Sequence, residues 1–141
     1  MTTAAKELPA CPVETTLTLI SDKWKVLILR DLMSGTKRFG ELKKSIGHVT
    51  QKVLTAQLRD MEAKGLLTRK VYAEVPPRVE YTLTATGYSL RPILDSMVAW
   101  GTDYQKQNGG APCHKTACTA EIAAKIPCTQ VLGTYTVTFD R

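Results

Sequence analysis

Long apolar runs are missing from this chain of 141 residues. It has no stretch of about 18 consecutive apolar residues, so we expect no membrane-spanning helix. Its first residues, MTTAAKELPACPVE, lack the apolar segment that a signal peptide requires. We therefore expect a cytoplasmic protein without a membrane partner.

Signatures of enzymes are also missing. The sequence contains no P-loop, dinucleotide fingerprint or HExxH motif. Cys11 with His48 or His114 offers a nucleophile and a base, but no third group is evident to orient such a pair. We therefore expect neither catalysis nor a bound cofactor.

Acidic residues are scarce in the middle of the chain. Between Lys37 and Arg78 there are four acidic residues and ten Lys or Arg, a surplus of six that equals the net charge of +6 of the whole chain. A basic block on an otherwise neutral protein indicates a polyanionic partner, because neutralising phosphates releases counterions. The alternative is a solvated basic face without a partner, and charge alone favours neither.

The apolar spacing predicts one domain of α+β class, mainly α, because 141 residues are enough for a real core. Two amphipathic helices, "VETTLTLIS" and "DKWKVLILRDLMSG", should follow a flexible lead-in over residues 1–10. The main domain should span residues 11–108. Residues 109–141 form an extension with three of the four cysteines, and "TYTVTFD" there alternates as a strand does.

A helix-turn-helix is predicted next. "RFGELKKSI" is a short helix with Lys43 and Lys44 on its polar face, and Thr50 can cap the helix that follows and ends at Gly65. That second helix is the one that would lie in a major groove. Its polar edge would then meet base edges or phosphates, and it carries Thr50, Gln51, Lys52, Thr55 and Arg59. The alternative is an ordinary solvent-facing edge, which amphipathic helices always have.

A β-hairpin should follow as a wing. "LLTRKVYAE" and "RVEYTLT" are rich in β-branched and aromatic residues and flank the turn "VPPR". Lys70 or Arg69 would reach a phosphate, and Arg78 at a proline-stiffened tip would enter a minor groove. A solvated hairpin tip is the alternative.

One long helix is predicted to start at Thr84, with Pro92 near a kink or a helix start. Its apolar stripe is longer than one small domain needs, which indicates a partner helix. The stripe consists of Leu90, Ile93, Leu94, Met97, Trp100 and Tyr104.

Several motifs together resemble the HxlR-type winged-helix transcription regulators, relatives of the MarR-like group. They are "KW" before an apolar helix, "G-x-x-RF-x-EL", "L-x-x-QLR-x-ME-x-x-GL-x-x-R" and "P-x-x-VEYTLT-x-x-G", within about residues 10–106. The resemblance implies a homodimer that binds palindromic double-stranded DNA, and repression is the expected sign of regulation. It also implies dimerisation through the first helix, with Leu17, and the long C-terminal helix.

The resemblance further implies a sensor of oxidants or electrophiles. Its signature is a cysteine just before the first helix, here Cys11 in "ACPVE", with Cys113 and Cys118 after the last helix. Because Pro12 suits the first helical position, Cys11 should sit where the helix dipole favours a thiolate. The alternative is a small buried cysteine without a redox role.

Two further interpretations concern small ligands. The fold also suits a regulator controlled by a non-covalent ligand between the dimer helices and the DNA-binding domain, near Trp24 or Trp100. A metal site is not expected, since Cys113, His114, Cys118 and Cys128 match no standard zinc spacing.

Overall fold

The computed structural model describes residues 7–110. Its elements in chain order are α1 Pro12–Ile20, α2 Lys23–Leu32, β1 Lys37–Arg38, α3 Phe39–Ile46, α4 Gln51–Ala63, β2 Leu67–Tyr72, β3 Arg78–Leu83, α5 Ala85–Ser89 and α6 Arg91–Gln107. This arrangement confirms the mainly helical α+β class and the winged helix-turn-helix. Within this part of the chain, no helix combines the length and the apolar character needed to cross a bilayer.

The first two helices begin with specific local signals. Pro12 occupies the first turn of α1, where its missing N–H removes no helical hydrogen bond. Asp22 caps α2, because its carboxylate accepts a hydrogen bond from the Trp24 N–H at 2.7 Å. The end of the lead-in contacts α1, since the Thr15 hydroxyl donates to the Pro9 carbonyl at 3.0 Å.

The helix-turn-helix forms as the sequence predicts. The Glu41 side chain accepts from the Arg38 N–H at 2.7 Å and closes the start of α3. Gly47 ends α3 with φ of 85°, a conformation that costs glycine little. Thr50 then caps α4 by accepting from the Val53 N–H at 3.2 Å, which confirms its predicted role.

The wing is a three-stranded antiparallel sheet in the order β1-β3-β2. The hairpin pairs Leu67 with Leu83 at its base and Tyr72 with Arg78 near its tip. Strand β1, which the sequence did not indicate, pairs Lys37 with Tyr81. The wing is therefore joined directly to the start of α3, and this places both on one side of the domain.

The single long helix expected from Thr84 is a wrong prediction. Thr84 caps the short helix α5 by accepting from the Gly87 N–H at 3.2 Å, and a separate helix, α6, begins at Arg91. The break lies at Leu90, and Pro92 sits in the first turn of α6, where a helix tolerates it.

The core lies where α2, α3, α4, the base of the wing and α6 meet. Its fully buried side chains are Ile28, Leu29, Leu32, Leu42, Leu54, Leu58, Met61, Leu66 and Leu67. Leu90 and Leu94 also belong to this core, with 7% and 8% of their surface exposed. Their assignment to a free dimerisation stripe is therefore wrong as far as the single subunit is concerned, because its own core buries them.

Candidate nucleic-acid interface

Helix α4 has three faces with different surroundings. Successive residues lie about 100° apart around a helix, so Leu54, Leu58 and Met61 share one face, and all three are buried in the core. A second face, with residues 57, 60 and 64, contacts α1 and α2 through polar side chains. The third face, with residues 51, 52, 55, 56 and 59, is the one available to a ligand.

The outward face carries the predicted recognition residues. Gln51, Lys52 and Arg59 are exposed, and Thr55 is half-buried. The Thr55 hydroxyl donates to the Gln51 carbonyl at 2.8 Å, so its proton is already engaged. Thr55 therefore offers a methyl group and an acceptor lone pair, and a thymine methyl is one group that suits it.

Cationic side chains extend this face onto α3. Lys43 and Lys44 are exposed in the last turn of α3. Thr50 is also exposed, and its capping oxygen accepts from the backbone, which leaves its O–H free to donate. Among the described residues, no ion pair neutralises Lys43, Lys44, Lys52 or Arg59. The surface is positively charged, with polar groups able to donate and accept.

Arg78 lies directly beside the wing tip, as expected, but its side chain packs back onto Tyr72 of β2, and a minor-groove contact stays a prediction. It is the first residue of β3, and its guanidinium lies over the Tyr72 ring at 4.0 Å. Carboxylates of Glu74 and Glu80 lie 3.3 and 3.6 Å from its nitrogens. Residues 73–77 form the tip, with Val75 fully exposed. The charge of Arg78 is compensated locally, which weakens the case for a minor-groove contact.

Lys70 is exposed on β2, and its ammonium lies 4.9 Å from the centre of the Tyr72 ring. Its strand partner is Glu80. A phosphate contact by Lys70 stays a prediction, since a flexible lysine side chain can leave the ring at small cost.

Comparisons with known proteins agree with this geometry. A family model described as HxlR-like helix-turn-helix matches residues 19–109. The chain belongs to this family. The HTH-type transcriptional regulator YdeP of Bacillus subtilis (strain 168) is 45% identical to it over 102 residues, which cover 72% of this chain and 80% of YdeP.

Solved structures of transcription and redox regulators match as well. The redox regulator HypR in its oxidized form has a TM-score of 0.62 and 46% identity, over 66% of this chain and 96% of that chain. The reduced form of the transcriptional regulator YodB from B. subtilis has a TM-score of 0.58 and 35% identity, over 68% and 95% of the two chains. The protein is thus an HxlR-type winged-helix transcription regulator, as its motifs predicted.

Cys11 of this HxlR-like chain is exposed and lies at the N-cap of α1. The alternative of a buried cysteine is therefore wrong. Glu14 lies in the same first helical turn. Cys113 and Cys118, with Cys128 and His114, lie outside the described residues. Within residues 7–110 no cluster of three metal-ligating side chains is found.

An exposed apolar face remains on α1 and α6. Leu17 is 51% exposed, Met97 47%, Trp100 65% and Tyr104 52%. The rings of Trp100 and Tyr104 stack with centroids 5.1 Å apart, while Ile93 packs partly against the core. Large apolar side chains are thus exposed on both helices that the sequence assigned to dimerisation.

A groove lies elsewhere, between the wing tip and the start of α3. Arg38, Phe39, Val75 and Pro76 are among the residues that line it. Neither Trp24 nor Trp100, near which a non-covalent ligand was expected, belongs to its lining.

Sequence reasoning missed the polar residues that hold α4. Lys25 is buried, and its ammonium contacts the Asp60 carboxylate at 2.9 Å. The pKa of Asp60 is lowered from its ordinary value, chiefly by hydrogen bonds from Lys25 and Lys64. A lysine within the apolar run "KWKVLIL" was the available signal, because a lysine is rarely buried without a partner.

Proposed function

We propose that the protein is a homodimeric repressor that binds a two-fold symmetric operator and releases it when oxidants or electrophiles react at Cys11. The observation that carries the DNA-binding part is the outward face of α4, which is polar, cationic and held from behind by the core. A helix with those properties suits a major groove, which shows a different donor and acceptor pattern for each base pair.

Specific contacts follow from the side chains available. Gln51 would hydrogen-bond an adenine, Arg59 a guanine, and Lys52 a phosphate. Lys43 and Lys44, with Lys70 on the wing, would contact phosphates, and the free hydroxyl proton of Thr50 would do the same. Phosphate contacts supply affinity and register, whereas the α4 side chains supply sequence preference.

The exposed apolar face supports the dimer. Two copies of Leu17, Met97, Trp100 and Tyr104 would cover one another about a two-fold axis, as isologous interfaces do. Aromatic residues such as the stacked Trp100 and Tyr104 are enriched among residues that dominate interface energies. In such a dimer the two α4 helices would lie about 34 Å apart, one turn of B-DNA.

The sensing part is supported by the position of Cys11. Its thiol is exposed at the start of α1, and α1 also carries Leu17 of the proposed interface. A thiolate would add to a quinone carbon to form a thioether, or form a disulfide with a second cysteine while the oxidant takes up two electrons. HypR is a redox regulator, and YodB has been solved in reduced and diamide-treated forms. Cys113 and Cys118 are the proposed second thiols.

DNA recognition is tested by changing Gln51 and Lys52 together to Ala. The double variant should lose operator binding at least tenfold, about 1.4 kcal/mol or more, while remaining dimeric in sedimentation. Gln105→Ala with Lys106→Ala is the matched control, since it removes the same two residue types from α6. Unchanged operator affinity in the Gln51 and Lys52 variant would overturn the assignment of α4.

Sensing is tested with diamide or a quinone on the wild type and on Cys11→Ser. The wild type should release the operator, and Cys11→Ser should retain it. A nonreducing gel separates the chemistries, because an intersubunit disulfide runs as a covalent dimer whereas a thioether does not. Equal release by both proteins would remove Cys11 from the mechanism.

A further inference from the structure

Five polar side chains connect α4 to the two N-terminal helices, and we refer to them as the α4 clamp. They are Asp22, Lys25, Gln57, Asp60 and Lys64. The Gln57 amide donates to the Asp22 carboxylate at 3.2 Å, so the residue that caps α2 also holds α4. The Asp60 carboxylate lies 2.9 Å from both the Lys25 and Lys64 ammonium groups.

Lys64 is the member of the clamp that reaches α1. Besides Asp60, its ammonium donates to the Thr18 carbonyl at 2.8 Å. Thr18 lies in the last turn of α1, where helical carbonyls lack partners of their own. Lys64 therefore joins the C-terminal end of α1 to α4, while Cys11 occupies the N-cap position at the opposite end of the same helix without a side-chain capping bond.

The clamp adds directional information that apolar packing lacks. Hydrophobic burial is non-directional, and it leaves a helix some freedom to rotate or slide on its core face. Charge-assisted hydrogen bonds have preferred lengths and angles. Three of them lie on one side of α4 and add a directional restraint on its rotation to that of the buried core face.

We propose that Lys64 is a positioning residue that couples α1 to the recognition helix, so that displacement of α1 reorients α4 through the bond between the Lys64 ammonium and the Thr18 carbonyl. The coupling deepens the proposed function, on which its link to Cys11 rests. A nine-residue helix is about 13 Å long, so a group attached at Cys11 acts on one end of a short rigid element whose other end contacts Lys64.

The test compares wild type, Lys64→Met and Lys64→Arg in the full chain, each with Cys113, Cys118 and Cys128 changed to Ser. N-ethylmaleimide then modifies Cys11 alone, and intact mass confirms equal modification. Amide hydrogen exchange across α4 and operator affinity are measured before and after. Lys106→Met is the matched control for loss of an exposed lysine from another helix. Lys64→Leu, which also lacks a hydrogen-bond donor, replaces Lys64→Met if the latter fails to fold.

Modification should change exchange in α4 and weaken operator binding in the wild type, in Lys64→Arg and in Lys106→Met. In Lys64→Met the weakening should be at least about fivefold smaller, the lower end of common coupling strengths, and α4 exchange should stay unchanged. Rescue by arginine separates coupling from a merely structural role, since arginine also donates to a carbonyl.

An equal loss of operator affinity in Lys64→Met and wild type after modification of Cys11 would overturn the coupling. An unchanged amide hydrogen exchange of α4 in the modified wild type would overturn it as well. Either result would leave operator binding and its loss on modification intact. Conversely, a wild type that binds no operator would refute the proposed function, and the exchange data would still decide whether α1 and α4 are coupled.

Discussion

Replacing Lys52 by Gln should change the salt dependence of DNA binding by a calculable amount. Lys52 is exposed in the first turn of α4, and no ion pair neutralises it among the described residues. If it contacts a phosphate, the dimer makes two such contacts. Each phosphate contact contributes about 0.9 to the slope of log affinity against log salt, so the slope should become shallower by about 1.8.

The slope converts to an affinity difference that is easy to measure. Raising the salt concentration from about 50 to 200 mM should lower the affinity of both proteins, and the loss should be roughly tenfold larger for the wild type than for Lys52→Gln. The ratio of the two losses is the fourfold change in salt raised to the difference in slope, about 1.8. Fluorescence anisotropy with a labelled operator at four salt concentrations would measure both slopes. Lys106→Gln is the control, since it removes the same charge from α6.

Equal slopes for Lys52→Gln and Lys106→Gln would refute a phosphate contact by Lys52. Non-specific DNA adds a second criterion, because phosphate contacts are independent of sequence. A phosphate role predicts the same change of slope on both DNAs. A fall in operator affinity alone would instead assign Lys52 to a base edge.

Three further predictions concern stability and assembly. Gly87→Ala should lower the unfolding free energy by about 1–3 kcal/mol in chemical denaturation, because an added Cβ would overlap backbone, whereas Gly40→Ala, with open space at its Cβ, should not. The pKa of Asp60 is lowered in the folded state from its ordinary value of 3.8. The Asp60 carboxylate therefore stabilises the folded protein above about pH 4, and this stabilisation is lost as the pH falls through the lowered pKa. The stability difference between wild type and Asp60→Asn should therefore shrink below about pH 4; a constant difference would contradict this. Trp100→Ala should raise the dimer dissociation constant about 30-fold in sedimentation and leave the melting temperature of the diluted subunit unchanged, because Trp100 is exposed. Leu94→Ala should lower that melting temperature, because Leu94 is buried in the core.

Local signals explain most of what the sequence predicted correctly. The α3–α4 pair could be found because apolar spacing, the Thr50 cap and Gly65 each act on residues close to them in the sequence. The wing strands were found for the same reason, since β-branched residues flank a proline turn. Family motifs then identified the HxlR-like class, and the match of the family model to residues 19–109 confirms it.

Contacts between distant residues explain what the sequence missed. Strand β1 has two residues, too few for a periodic pattern, and exists because it pairs with β3. The side chain of Arg78 was expected to extend from the tip, but its guanidinium lies over the Tyr72 ring and pairs with the Glu74 carboxylate. Partners in the α4 clamp are 35 residues apart for Asp22 and Gln57, and 46 for Thr18 and Lys64.

The sequence by itself determined most of the element types, the helix-turn-helix and the polar edge of α4, because backbone propensities and caps are short-range. Tertiary structure alone decided which apolar residues of the C-terminal stripe serve the core and which stay exposed. Leu90 and Leu94 share a helical spacing with Met97 and Trp100, and periodicity cannot separate them. The break at Leu90 turns α6 so that its first turn enters the core while Met97 and Trp100 extend beyond it.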